Sequence, residues 1–468
     1  MLRAAVGKGD GLMSSIADWS RERLHRRPSY QRWQASHIRL WLRRAWEFCQ
    51  RHRFAFLVLL VLAYRLMLDL LYMTVISPLY AYSGFLMNFH PLFYSCTLLA
   101  LTVFLPAVVR LQEEGTPSAN IVTFLNYIYF IPLTSYCGCN WSGMGFFLTG
   151  LAYWAVLLLI QFLLPVLSFK PFSGDHRRGT YMLLTVFAVG VVMYVSGRYA
   201  GFRLTFDIFD VYGIRAEAAA YSLPSLIAYA LSMAGNVLAI LLIYWLLRRK
   251  YMVCAVLVVV YMFLFSVAGH KSLFFFLLLV LAGYFFFRSW MRQWLPMLTS
   301  LAALAALIEY RFVHSFYLTS YMFRRVMYEP VNLSKRYMEF FQENPLSLFR
   351  SGILRFFSFS SNYSTSLAHL LGEVDGAFNA ANNGMLGDMF ANLPTLLGIF
   401  IMPLILVFCF RLLDAVATHL PEKLVISSCV YFAVSFSNTF WSTVLLSHGF
   451  LITCLLLYIF PKKEELSQ

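Results

Sequence analysis

The sequence predicts an all-α, polytopic integral membrane protein, with about twelve transmembrane helices and one large outer loop. Three observations carry this. Of the 468 residues 60% are apolar and only 13% charged. Mean hydropathy is +0.67. Apolar runs recur along the chain at the length needed to cross lipid. A soluble protein carries about 25% charged residues, so the charges here cannot cover a water-facing surface and lipid must solvate most of the chain. The 45 Phe and 28 Tyr suit lipid-facing helices and interfacial belts.

The first segment, 1–53, has twelve Arg/Lys against four acids, with Trp19, Trp33, Trp41 and Trp46 interleaved. It has no early apolar core, so it is not a signal peptide. It reads as a basic cytoplasmic segment, partly helical, on the membrane surface, and its plainest role is to set topology. Crossing about 30 Å of hydrocarbon takes about 20 residues. Suitable runs lie near 54–76, 92–110, 119–138, 142–165, 180–197, 224–247, 251–269, 272–288, 294–309, 391–411, 423–438 and 440–460. The order is therefore a tail, nine helices over 54–309, an outer loop over 310–390, and three helices with a short cytoplasmic tail over 391–468.

Charge placement orients these runs. With both termini cytoplasmic, 25 of the 37 Lys/Arg fall inside, and the first two outer loops, 77–91 and 139–141, contain none. That is the positive-inside pattern. The net charge of +15 then faces anionic headgroups, and nucleic acid is not needed to explain it. The eight cysteines show no ligand spacing, so neither metal nor cofactor is expected. Arg65 and Asp69, inside the first run at i,i+4, read as a local ion pair facing other helices.

Eleven basic residues remain outside, in three places: Arg198, Arg203 and Arg215; Lys271; and Arg311, Arg324, Arg325, Lys335, Arg336, Arg350 and Arg355. Cations placed against the topological bias point to an anionic ligand. In the first place, Asp207, Asp210 and Glu217 offer local salt bridges, while the Arg215 fork can hold two phosphate oxygens. In the second, Lys271 either snorkels or binds an anion, and His270 beside it can act as an acid or base near neutral pH. In the third, Asn332 or Ser334 is expected to cap a helix ended by Pro345, with Tyr337, Phe340 and Phe341 as sugar-stacking rings beside Lys335 and Arg336. Asn379, Asn382, Asn383 and Asp388 then offer hydrogen bonds to hydroxyls, or form a polar turn before the next helix.

The order FDVYGIRAEA, GHKS, RRVMYEPVNLSKRYMEFFQENP and NAANNGMLGDMFANLP, over about residues 198–410, resembles the Wzy-type oligosaccharide repeat-unit polymerases, the O-antigen polymerases. The basic tail is longer than that family's. The resemblance implies a GT-C-like, metal-independent glycosyltransferase of the bacterial inner membrane. Such an enzyme moves a growing glycan from undecaprenyl diphosphate onto the sugar of a new lipid-linked repeat unit. It implies Arg215, Arg324 and Arg325 as diphosphate ligands, with Arg215 and Arg325 catalytic in stabilising the leaving group. Lys271, Arg198, Arg203, Lys335 and Arg336 would assist in binding, and His270 would activate the acceptor hydroxyl. Tyr212, Tyr337 and Asn383 would orient carrier or sugar. A chain-length regulator and a flippase would be partners. A related ligase is the near alternative; a flippase would want two similar halves, and an acyltransferase a buried His, for which only His448 is available.

Overall fold

The computed structural model describes residues 51–141, 143–170, 177–205, 211–350, 360–374 and 380–460. Residues 1–50 of the basic tail, Asp207, Asp210, Arg355, Asn379, Lys462 and Lys463 lie outside these, as do the side chains of Arg177 and Tyr212. The chain divides into Met1–Leu59 and Leu60–Gln468. The helical bundle and its candidate site belong to the second unit.

The described residues are helical, apart from turns and one isolated bridge between Asn88 and Asn140. In order the helices are α1 Arg53–Ser83, α2 Pro91–Glu114, α3 Pro117–Cys139, α4 Met144–Leu163 and α5 Arg177–Ala200. Then come α6 Val211–Ala219, α7 Ser225–Leu247, α8 Tyr251–Ala268, α9 Lys271–Phe286 and α10 Ser289–Val313. Next is α11 (319–343), π-helical over Thr319–Tyr328 and α-helical over Glu329–Glu343. The chain closes with α12 Leu367–Val374, α13 Met385–Asn392, α14 Thr395–Ala417, α15 Glu422–Asn438 and α16 Trp441–Tyr458.

Among the described residues ten helices are long and apolar enough to cross a membrane: α1–α5, α7, α8, α10, α14 and α16. The chain is thus a polytopic, multi-pass helical protein. Each of the twelve apolar runs has a helix, but α9 and α15 are shorter, at 16 and 17 residues. The tenth run begins at Thr395 rather than 391, because Pro394 precedes α14 and residue 391 belongs to α13.

Local chemistry sets the breaks. Thr116 Oγ1 accepts the Ala119 N–H at 3.3 Å with Pro117 at the first turn, which starts α3. Gly269, at φ +62°, turns α8 into α9. A Cβ there would sit 3.1 Å from Arg215 Cγ, so α6 packs closely on this turn.

α3 lies at the centre of the bundle, almost wholly buried although it carries Ser118, Asn120, Asn126, Thr134 and Ser135. Lipid cannot satisfy such groups, and neighbouring helices take up Ser118, Asn120, Thr134 and Ser135. Arg65 and Asp69 form the expected i,i+4 ion pair, fully buried. Arg65 Nε donates to Thr134 Oγ1 at 3.0 Å, while Asp69 accepts from Tyr94 Oη at 2.7 Å and Ser135 Oγ at 2.6 Å. One pair thereby ties α1, α2 and α3 together. At the opposite end of α3, Ser118 and Arg411 both donate to Asp414, while Arg292 pairs with Glu422 at 3.0 Å.

Candidate functional site

Among the described residues, Arg215, Lys271, Arg324 and Arg336 lie at the end of the bundle opposite Ser118 and Asp414. α6 brings Arg215 onto the α8–α9 turn, where its Nε donates to the Gly269 carbonyl at 2.8 Å. His270 reaches solvent beside it. Crowding by protein and the Arg215 charge pull its imidazole below the usual histidine range. At pH 7 it is therefore neutral and able to accept a proton. Lys271 follows, its Nζ 3.3 Å from Tyr321 Oη and 4.7 Å from the Tyr321 ring centroid. Tyr321 lies one turn before Arg324 and Arg325 on α11. The structure thus joins Arg215, His270 and Lys271 to Tyr321 in one line of contacts, and Arg325 follows four residues after Tyr321 on the exposed side of α11.

The cations in this region fall into two kinds. Arg203 is paired with Glu217 at 2.6 Å in an exposed bridge, which draws the Glu217 carboxyl below its usual range. Arg324 pairs with Glu329 at 2.9 Å and lies over the Tyr80 ring, and Lys335 pairs with Glu339 at 3.4 Å. Arg336 donates to the Ser83 carbonyl at 2.5 Å. These side chains are engaged in holding the loop and α11. Arg325, by contrast, is exposed and has no partner among the described residues. Arg198 is exposed, with the Tyr199 ring 5.6 Å beneath it. Tyr212 lies on α6, three residues before Arg215.

Three readings of the third segment are corrected. Tyr337 is fully buried, its Oη donating to the Ala381 carbonyl at 3.0 Å, so its ring offers no face to a sugar. Asn383 is buried too, with Nδ2 donating to Ser334 Oγ at 3.1 Å and Oδ1 accepting the Gly384 N–H at 2.8 Å. Its amide is committed to linking α11 and α13. Asn332 and Ser334 cap nothing, because the helix has already begun at Thr319. Instead, Asn332 takes the Tyr136 hydroxyl and gives to Ser83, and Ser334 pairs with Tyr129.

Two groups gain a place that sequence reading did not give them. Asp388 is buried and accepts the Trp441 N–H and the Asn392 amide, each at 2.8 Å. Burial pushes its carboxyl up to about 7. His448 belongs to a polar cluster rather than standing alone: its carbonyl accepts from Asn236 at 2.7 Å and its ring is 3.5 Å from Ser435 Oγ. Its distance in sequence from each of these leaves no local signal.

The chemistry available on this line is anion binding by Arg215, Lys271 and Arg325, with a neutral imidazole alongside. The chain matches no family model, no curated protein and no solved structure.

Proposed function

We propose that the protein is a glycosyltransferase of the bacterial inner membrane that polymerises undecaprenyl-diphosphate-linked repeat units into a surface polysaccharide: O-antigen, capsule or exopolysaccharide. Both termini are cytoplasmic in this reading, the fold is GT-C-like with α9 and α15 also spanning, and the Arg215–Arg325 line faces outward. The observation that carries it is that line, ending in an exposed guanidinium with no carboxylate to neutralise it among the described residues. A lipid-linked diphosphate presents the opposite charge at the depth where the helices end.

In the reaction, the acceptor hydroxyl attacks the anomeric carbon of the growing glycan. Its proton passes to His270 as the bond from that carbon to the diphosphate oxygen breaks. Arg215 and Arg325, assisted by Lys271, stabilise the charge gained by the departing lipid diphosphate. A chain-length regulator and a flippase are the protein partners. Purified protein in nanodiscs, given the lipid-linked repeat unit alone, is expected to make a ladder of lengthened products. Transfer only after a second acceptor lipid is added identifies a ligase instead, and no transfer under either condition refutes the reading.

A further inference from the structure

The sharp turn between α10 and α11 holds two tyrosine rings beside the cation line, and nothing in the proposed reaction uses them. His314 adopts φ +56°, turning the chain out of α10. Glu309 then reaches across the turn, accepting the N–H groups of Tyr317 at 2.8 Å and Leu318 at 2.9 Å and the Ser315 hydroxyl at 2.5 Å. A carboxylate on the free donors of a helix start fixes that start in space. With α11 anchored in this way, Tyr317 and Tyr321 fall one turn apart with rings parallel to within 3° and centroids 6.3 Å apart. That spacing is too wide for the rings to cover one another, and they stay 57% and 43% exposed. Lys271 fixes Tyr321 by contact with both its hydroxyl and its ring, and Arg325 follows one turn later.

Parallel, exposed rings, Tyr317 anchored at its backbone by Glu309 and Tyr321 at its hydroxyl by Lys271, offer a stacking platform of two aromatic faces. A pyranose offers an apolar C–H face to such rings and hydroxyls to the tyrosine rims. Cations adjacent to the platform suit a saccharide that is itself attached to a phosphate. We infer that Tyr317 and Tyr321 form a saccharide subsite that stacks the sugar directly attached to the lipid diphosphate held by Lys271 and Arg325. This rests on the proposed function, whose substrate it narrows to carriers with a pyranose at the first position.

The test measures binding of two probes to the full chain in nanodiscs: undecaprenyl diphosphate, and the same lipid bearing one hexose. The wild type is expected to hold the hexose-bearing probe about tenfold more tightly, as two aromatic contacts allow. Tyr317→Ala/Tyr321→Ala removes that difference and leaves the sugar-free probe unchanged, while Tyr317→Phe/Tyr321→Phe keeps most of it and shows that the helix still folds. Equal weakening of both probes assigns the rings to lipid-headgroup contact and overturns the subsite. So does an unchanged tenfold preference in the Ala variant, or no preference in the wild type. If Arg325→Ala abolishes both probes in any of these cases, only the subsite fails. If neither probe binds the wild type, the cation reading falls with it.

Discussion

Removing Asp69 strands a guanidinium inside the bundle. Arg65 keeps Thr134 Oγ1 at 3.0 Å and the Thr134 carbonyl at 2.7 Å, but no negative charge faces it. Breaking one side of a buried pair costs about 3–5 kcal/mol, so Asp69→Leu is expected to lose that much. Arg65→Met should cost less, because the remaining carboxyl can take up a proton and keep its bonds from Tyr94 and Ser135. Removing both leaves no orphan charge. Thr134 and Thr97 retain the Ile131 and Tyr94 carbonyls, and Ser135 retains Tyr328. Interhelical bonds in lipid average about 0.6 kcal/mol, so Arg65→Met/Asp69→Leu should cost about 1–2 kcal/mol. The measurement is unfolding by SDS titration in mixed micelles, followed by circular dichroism. A double variant as unstable as Asp69→Leu, or an Asp69→Leu loss below about 1 kcal/mol, refutes the view that the pair is held together by mutual neutralisation.

Three further outcomes follow from particular contacts. The Asp388 carboxyl is raised to about 7, so the folded chain holds a proton there that the unfolded chain releases near 4. Its contribution to stability is therefore full at low pH and lost as pH rises from about 4 to 7. Asp388→Asn, which keeps the acceptor for the Trp441 N–H, should flatten the fall, and a variant as pH-sensitive as the wild type would contradict it. At Gly384 a Cβ would run into the backbone of Phe436 and Ser437, so Gly384→Ala should cost about 1–3 kcal/mol in the same titration; a neutral result would show that α13 does not pack closely on α15. For topology, Ser361→Cys should react with a membrane-impermeant maleimide on intact cells, and Lys250→Cys only after permeabilisation, both positions being exposed. The reverse pattern would invert the orientation.

Much of the frame was legible because lipid solvation leaves a one-dimensional mark. Each apolar run has its helix, and the Arg65–Asp69 pair could be read from its i,i+4 spacing alone. So could local salt bridging by Arg203, whose partner Glu217 lies 14 residues further on, on α6. The candidate site was legible by residue type but not by role. Tyr337 and Asn383 look like sugar ligands in sequence, yet their partners are Ala381 and Ser334, more than 40 residues away, and those contacts bury them. Asn332 and Ser334 resemble caps only if the helix starts nearby; the π-helical turns over Thr319–Tyr328 carry no sequence pattern that would show otherwise. Tyr317 and Tyr321 passed unnoticed for the opposite reason. In an aromatic-rich chain two more tyrosines near a helix end mean nothing until their rings are seen to be parallel, exposed and joined to Lys271.

The division between paired and unpaired cations supports the sharpest comparison. Arg325→Ala and Arg203→Ala each remove one outer guanidinium, but Arg203 is already neutralised by Glu217 whereas Arg325 faces solvent alone among the described residues. Elongation of the lipid-linked repeat unit by the two variants in nanodiscs, at matched protein levels, separates them. The expected result is a fall of about 10²–10³ for Arg325→Ala, the usual cost of losing a donor to a developing anion, and near wild-type elongation for Arg203→Ala. Full elongation by Arg325→Ala, or equal loss from both, would contradict the assignment of Arg325 to the diphosphate.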